Sequence, residues 1–337
     1  MGESGEGGGD QAGMTISVKT LLLAAALGCA CAARAAPADY PSRPIRVIVP
    51  QAPGSTTDLL GRIVLTRMAE RLGKPMVVDN RPGAGGTLGM EIAARAAPDG
   101  YTLIAVAASM LTIAPHTYKK LAYEPLRDFT PVGLFVLTQT ALCVNGNLPV
   151  KTPRDLIELA KAKPGALNMA SAGMGTTSHL GGLLFTTLAG ISANHVPYKG
   201  GGPSVASVAQ GEAQWTIPPL SAAMPQVKAG RMRCLATGGD RRSAVTPELP
   251  TLAESGVAGY RFYGWNGIVA PRGTSRQAAM LLNKAMADVL GAADTRRIFF
   301  DFGEEPSYST PEAFGKFIRE DYEAMGKLVR LAGIQAE

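Results

Sequence analysis

Histidine and cysteine are scarce. The 337 residues hold 3 histidines and 4 cysteines, with no C-x-x-C pair and no His cluster at metal-ligand spacing. No metal centre is expected from such a set, and no cofactor motif suggests one elsewhere. Aromatic side chains make up only 6%, which argues against a stacking platform for single-stranded nucleic acid. Charged residues stand at 18%, with no run of five like charges. The densest basic stretch, Arg231, Arg233, Arg241 and Arg242, is interrupted by Gly, Thr and Leu. It reads as a solvated surface, so nucleic acid is not an expected partner. The net charge of +6 suits long-range attraction of small acidic ligands. Nucleotide signatures are missing too. The G-x-G-x-x-G spacing fails at Leu88 and at Ser178, and no GK[ST] P-loop occurs. What is abundant is apolar residues, at 46%, with 40 glycines and 24 prolines. That is globular composition with many loops and turns, and without a G-x-y period it excludes collagen.

The N-terminus carries a targeting pattern. Lys19 precedes an apolar run over 21–33, and Ala33-Arg34-Ala35 supplies small residues at the A-x-A positions. These features define a secretory signal peptide over 1–35, leaving a mature chain of 36–337 in the periplasm. Residues 1–13 are Gly-rich and acidic, unlike a signal n-region, so Met14 is the better start. Lipoprotein anchoring is not favoured: in Ala26-Leu27-Gly28-Cys29 the expected Leu is Ala26. Removal of the signal takes Cys29 and Cys31 with it. Cys143 and Cys234 remain, and export permits them to pair. Two buried free thiols fit the sequence as well.

The mature chain alternates strand and helix patterns. Strands are expected at 45–49, 75–80 and 101–107, with helices at 57–72, stopped by Gly73, and at 88–97. Such βαβ repetition predicts a parallel sheet. Residues 129–144 read as a long strand crossing to a second unit. There Thr152-Pro153 opens a helix as N-cap and first helical residue. Strands and helices alternate again to 237, and 260–270 reads as a returning strand. Three helices follow, at 275–290, 293–300 and 311–331. This predicts an α/β protein with one domain from 36–141 plus 260–337 and another from 142–259. Crossing strands without a flexible linker suggest a hinge and a cleft.

Four loops stand at the carboxyl ends of predicted strands: 49–58 (VPQAPGSTTD), 80–89 (NRPGAGGTLG), 171–179 (SAGMGTTSH) and 197–203 (PYKGGGP). Open α/β sheets bind ligands there. Each loop leads into a helix whose free N–H groups and positive dipole end suit an anion. Glycine admits close backbone approach, and hydroxyls add donors. Catalytic residues are not expected. His116, His179 and His195 are the only histidines. Ser178 and His179 are adjacent, so on a helix they point apart and cannot form a nucleophile–base pair. His179 reads as a cap or packing residue, and Asp58 as a first-turn acid favoured by the helix dipole.

These loops carry a resemblance. YPSRPIRVIVPQAPGSTTD (40–58), NRPGAGGTLG (80–89), PDGYTL (98–103) and LAYEPLRDFTPV (121–132) are similar to motifs of the Bug family of periplasmic solute receptors, also called tripartite tricarboxylate receptors. So are AKPGALNMASAGMGTTSHL (162–180), HVPYKGGGP (195–203) and PTLAESGVAGY (250–260). The resemblance covers nearly all of 40–334. It implies a two-domain Venus-flytrap of the type II periplasmic binding protein kind. It also implies a small carboxylate held between the domains, and delivery to a three-part membrane permease or a sensor. A monomer suits such a receptor. By position, the carboxylate loops are Gly54, Ser55, Thr57 and Asp58, then Gly83, Ala84, Gly85, Gly86 and Thr87. The distal wall is Ser171, Gly173, Thr176, Ser178, Tyr198 and Lys199.

The sequence departs from the family pattern at Gln51, Ser55, Met174, Gln214 and Pro219. Loss of polar groups there leads to the expectation of a ligand with one anionic end and a less polar far end. The alternative reading is an exported α/β enzyme on a small acid, using Asp58, Ser178 or His179.

Overall fold

A computed structural model describes residues 40–331 together with Gly2, Gly333, Ile334 and Ala336. The segment read as a signal peptide, 1–35, lies outside the described residues apart from Gly2. The chain opens with β1 (Ile45–Val49), α1 (Thr56–Leu72), β2 (Met76–Asn80), a 3-10 turn (Ala84–Gly86), α2 (Thr87–Ala94) and β3 (Thr102–Ala107). β1 pairs in parallel with β2 and β3, as crossover helices require. Gly73 ends α1 in the left-handed region, and its N–H reaches the carbonyls of Ala69 and Glu70. A π-helical turn (Ser109–Ile113) and the short α3 (Ala114–Thr117) follow.

β4 (Phe129–Gln139) then leads, through a bridge residue at Thr140, into β5 (Ala141–Asn145) of a second sheet. The second lobe adds α4 (Pro153–Ala162), β6 (Asn168–Ser171), α5 (Thr177–Ala189), β7 (Asn194–Pro197) and α6 (Gly201–Gln210). It continues with β8 (Trp215–Thr216), α7 (Leu220–Lys228) and β9 (Met232–Thr237). Thr152 caps α4 in a full capping box with Asp155, and Pro153 sits in its first turn. β10 (Tyr263–Pro271) returns to the first sheet, followed by α8 (Arg276–Gly291), α9 (Ala293–Asp301), β11 (Glu305–Pro306) and α10 (Pro311–Leu331).

The six-stranded sheet has the order β11-β4-β10-β3-β1-β2, and the five-stranded sheet the order β7-β6-β8-β5-β9. Both are mixed, which corrects the expectation of parallel sheets. β4 leaves the first lobe and β10 comes back into it, so the two run antiparallel from Tyr263↔Gln139 to Pro271↔Phe129. β5 likewise pairs antiparallel with β8 and β9.

Each lobe has its own apolar interior. In the first, Leu60, Val64 and Met68 of α1 pack with Leu282 and Met286 of α8 under one sheet face. Trp265 and Phe314 fill the other face. In the second, Leu142, Val144, Phe185 and Trp215 pack together. Burying each such side chain is worth roughly 1.5–3 kcal/mol. α10 serves both lobes: Phe314 and Ile318 join the first, and Leu328 and Val329 the second. Cys143 of β5 and Cys234 of β9 face each other in register and are joined by a disulfide. Among the described residues, no helix is long and apolar enough to cross a membrane.

Candidate functional site

A cavity of about 460 Å³ opens between the two lobes. The first lobe lines it with Gln51 and Gly54–Thr57 around the start of α1, Ala107–Ser109 after β3, and Thr138, Gly264, Trp265 and Asn266 of the crossing strands. The second lobe contributes Ala172, Thr176–Ser178 at the start of α5, Gly200–Gly202 at the start of α6, and Pro219 and Ala222. None of these lining side chains is ionisable.

The first wall is built from Asp58. Its side chain is almost wholly buried. One oxygen accepts the Gly54 N–H at 2.9 Å, and the other accepts Arg62 Nε at 2.9 Å and Asn80 Nδ2 at 2.9 Å. Burial pushes this carboxyl up, but the hydrogen bonds from Arg62, Gly54 and Asn80 and the Arg62 charge outweigh it, so its pKa falls below the ordinary value. Ser55 caps α1 by accepting the Asp58 N–H. Asp58 therefore braces the loop and is not among the lining residues. With Gly54 and Asp58 committed, the main-chain N–H groups of Thr56 and Thr57 have no partner among the described residues.

The second lobe presents two such helix starts. Ser178 Oγ accepts the Ala172 N–H at 2.9 Å, and Thr176 Oγ1 donates to the Gly173 carbonyl at 2.7 Å. His179 Nδ1 accepts the Gly175 N–H at 3.1 Å, which leaves its proton on Nε2. Its ring stacks on His195, with centroids 4.0 Å apart. Burial first, and then His195, push His179 down to about 4, so it is neutral near pH 7. Ser171, fully buried, bonds to His195 Nε2 at 2.6 Å. Ser178 and His179 thus face different partners and form no nucleophile–base pair. The N–H groups of Thr177 and Ser178, and of Gly201 and Gly202, likewise have no partner among the described residues. Three helices, α1, α5 and α6, therefore place residues with free amides in the wall of one cavity, from both lobes. Such amides at a dipole's positive end hold anions.

Of the residues expected from the sequence, the structure brings Gly54, Ser55, Thr57, Thr176 and Ser178 to the cavity wall. Asp58, Ser171, Gly173, Tyr198 and Lys199 stand outside the lining, as do Gly83, Ala84, Gly85, Gly86 and Thr87. The second glycine loop uses its glycines for packing. A Cβ on Gly86 would meet the Pro50 carbonyl at 3.0 Å, and one on Gly85 the Tyr118 hydroxyl at 2.8 Å. In the fourth loop the wall is Gly200–Gly202, beside the expected Tyr198 and Lys199. Met174 is 54% exposed and lies outside the cavity. Of the departures behind the expectation of a less polar far end, Pro219 does line the cavity, beside Ala222 and the free amides of α5 and α6. Thr138, Trp265 and Asn266 gave no sequence signal: they lie inside strands and meet only when β4 pairs with β10.

Two lobes joined by crossing strands, with an amide-lined cavity between them, define a solute-binding protein of the hinged, two-domain kind. The family model described as "Tripartite tricarboxylate transporter family receptor" matches residues 60–334. The chain belongs to this family. Protein BugT of Bordetella pertussis is 33% identical over 295 residues, covering 87% of this chain and 90% of that one. The solved structure of R. palustris Rpa4515 with adipate is 33% identical, with a TM-score of 0.82, covering 88% of this chain and 100% of that one. MatC from Rhodopseudomonas palustris with bound malate is 31% identical, with a TM-score of 0.76, covering 86% and 100%. The family is one of periplasmic solute-binding receptors, so the protein is a receptor, and the exported-enzyme alternative finds no support.

Proposed function

We propose that this receptor captures a small dicarboxylate in the periplasm and presents it, by lobe closure, to a tripartite tricarboxylate-type permease. The observation that carries the reading is the opposition of free amides: Thr56 and Thr57 on one lobe, and Thr177, Ser178, Gly201 and Gly202 on the other. No cation lines the cavity, so anionic groups at both ends of a ligand would be held by backbone donors. Adipate and malate, named with the two related structures, have that shape. Contacts from both lobes favour the closed state, and the permease reads that state. Thr56 and Thr57 serve the near carboxylate, with Gly54 and Ser55 shaping their turn, and Thr177, Ser178, Gly201 and Gly202 serve the far one, with Thr176 capping α5. Asp58 holds the near loop in shape.

The test is a thermal-shift screen of the chain from Ala36, unfolded and refolded beforehand to strip carried ligand. Matched mono-, di- and tricarboxylates are compared. A dicarboxylate at a hundred times its Kd should stabilise by about 2.7 kcal/mol, a shift of a few degrees. A monocarboxylate of equal length should shift far less. Equal shifts for the two would sink the dicarboxylate reading.

A further inference from the structure

Beside the cavity lies a surface that ligand capture does not use. Leu88, Tyr118 and Met174 are exposed apolar side chains, and none of them lines the cavity. Single exposed apolar residues are ordinary, but these three stand on neighbouring loops. A Cβ on Gly83 would lie 3.4 Å from the Leu88 side chain, and one on Gly85 2.8 Å from the Tyr118 hydroxyl. The second glycine loop thus abuts both. A Cβ on Gly175 would lie 3.4 Å from the Thr117 side chain. Thr117 ends α3 in the first lobe, next to Tyr118, and Gly175 belongs to the third loop in the second lobe, next to Met174. The patch therefore crosses from one lobe to the other. The fourth loop adjoins it, since a Cβ on Gly173 would lie 3.4 Å from the Tyr198 carbonyl.

The charge of this surface is one-sided. Lys119, Lys120 and Lys199 stand on it, exposed. Among the described residues none of the three has an acidic partner, the lysine ion pairs being Lys284–Asp288 and Lys316–Glu320. The four segments that build the surface, 80–90, 114–120, 171–180 and 195–203, hold no Asp or Glu.

We propose that this two-lobe patch is where the membrane permease docks, through a periplasmic segment that carries acidic side chains beside apolar ones. This rests on the permease reading above and names the surface for it. Acidic groups would pair with the unneutralised lysines, and apolar ones would cover Leu88, Tyr118 and Met174. Tyr and Met are types enriched at protein interfaces. A second copy of the receptor does not fit, because a two-fold contact would set this basic surface against itself. A lipid surface would read the lysines in any arrangement of the lobes. A patch shared by two lobes is complete in one arrangement only, because hinge motion would part Gly175 from Thr117. Docking there reports the position of the lobes, and through it the presence of ligand.

The test separates docking from ligand capture. The receptor gene is deleted in its own host and returned as wild type or variant. Uptake of labelled succinate, malate and adipate is measured beside calorimetry on each purified mature chain. Two double variants are compared: Leu88→Ser with Met174→Ser, and Lys119→Gln with Lys120→Gln. Each should hold dicarboxylate affinity within about twofold and lower uptake by about tenfold, as loss of an interface anchor does. Met174→Leu, and Lys119→Arg with Lys120→Arg, should keep wild-type uptake. Matched melting temperature and matched periplasmic amount exclude misfolding as the cause. Wild-type uptake in either double variant would overturn the proposal. So would affinity that falls in step with uptake, since the surface would then serve the ligand. Wild-type chain that binds phosphatidylglycerol vesicles, with binding lost in the lysine variant, would give the surface to a membrane and overturn the proposal too. Uptake indifferent to deletion of the gene would overturn the permease reading itself, and this proposal with it.

Discussion

Asp58 shows how a charged residue can shape a proposed anion site without lining it. Its carboxylate is consumed by Gly54, Arg62 and Asn80. That bracing shapes the turn from which Thr56 and Thr57 offer their amides. Asp58→Ala would strand the Gly54 N–H and free Arg62. The loss should be about 2–3 kcal/mol of stability, since hydrogen bonds to a charged group are among the stronger ones. Carboxylate affinity should fall by about tenfold or more, which is about 1.4 kcal/mol or more. Denaturant unfolding and calorimetry measure the two losses; unchanged affinity in a folded variant would refute the bracing role. At this scale the sequence was informative where backbone conformation demanded glycine. Gly54, Gly173 and Gly175 all sit at positive φ, and all three lie in loops recognisable from composition. It was uninformative at Asp58, whose partners Arg62 and Asn80 come from a helix and a neighbouring strand. Nor did it reveal Thr138 and Asn266, which look like ordinary polar positions in apolar strands.

Among the elements, the seam of β5 and β9 is closed covalently. Cys143 and Cys234 are 91 residues apart in sequence and directly opposed in the ladder. The bridge thus encloses nearly the whole second lobe and restricts its unfolded ensemble. Replacing both cysteines by alanine should cost about 2–4 kcal/mol in chemical denaturation, with the loss in the second lobe. A variant as stable as wild type would show that the bridge contributes nothing. The spacing of the two cysteines could not announce this pairing, because it depends on strand register. Helices and strands with strong periodicity or caps were legible, α4 through Thr152 and α10 through its long amphipathic run. The π-helical turn at Ser109–Ile113 was not. It is a single turn, too short to leave a period, and it borrows its stability from tertiary contacts: Thr112 donates to Asp321 of α10 at 2.6 Å.

The whole molecule is tied across its lobes by β11 and Glu304 just before it. Glu304 accepts the Ser221 hydroxyl of α7 at 2.6 Å. Glu305 accepts from Ser243 at 2.9 Å and from the Ala244 amide. Glu304 is fully buried, and its second oxygen has no partner. Burial pushes its carboxyl up to about 8, with Ser221 and Gln139 offsetting part of the rise and Glu305 adding to it. The folded chain therefore holds this proton more tightly than the unfolded chain does. Its contribution to stability is complete below the unfolded value of 4.5 and is lost as pH rises through about 8. Glu304→Gln keeps an acceptor for Ser221 and cannot ionise. Its melting temperature should match wild type near pH 5 and exceed it near pH 9. Parallel pH profiles for the two proteins would contradict the assignment. The two-lobe plan itself was readable from the crossing strand pattern at 129–144 and 260–270. The antiparallel pairing of those strands was not, because direction follows from the route of the chain and leaves no mark in local composition.

The cavity's grip on charge has a consequence for mutation. The free donors at Thr56, Thr57, Thr177, Ser178, Gly201 and Gly202 belong to the main chain. A side-chain exchange cannot delete such a donor; only proline removes the N–H itself. The rest of the wall, from Gln51 to Thr138, Pro219 and Asn266, can vary residue by residue while the donors proposed for the anion persist. One scaffold can therefore drift among neighbouring solutes by single steps, each intermediate still able to hold a carboxylate.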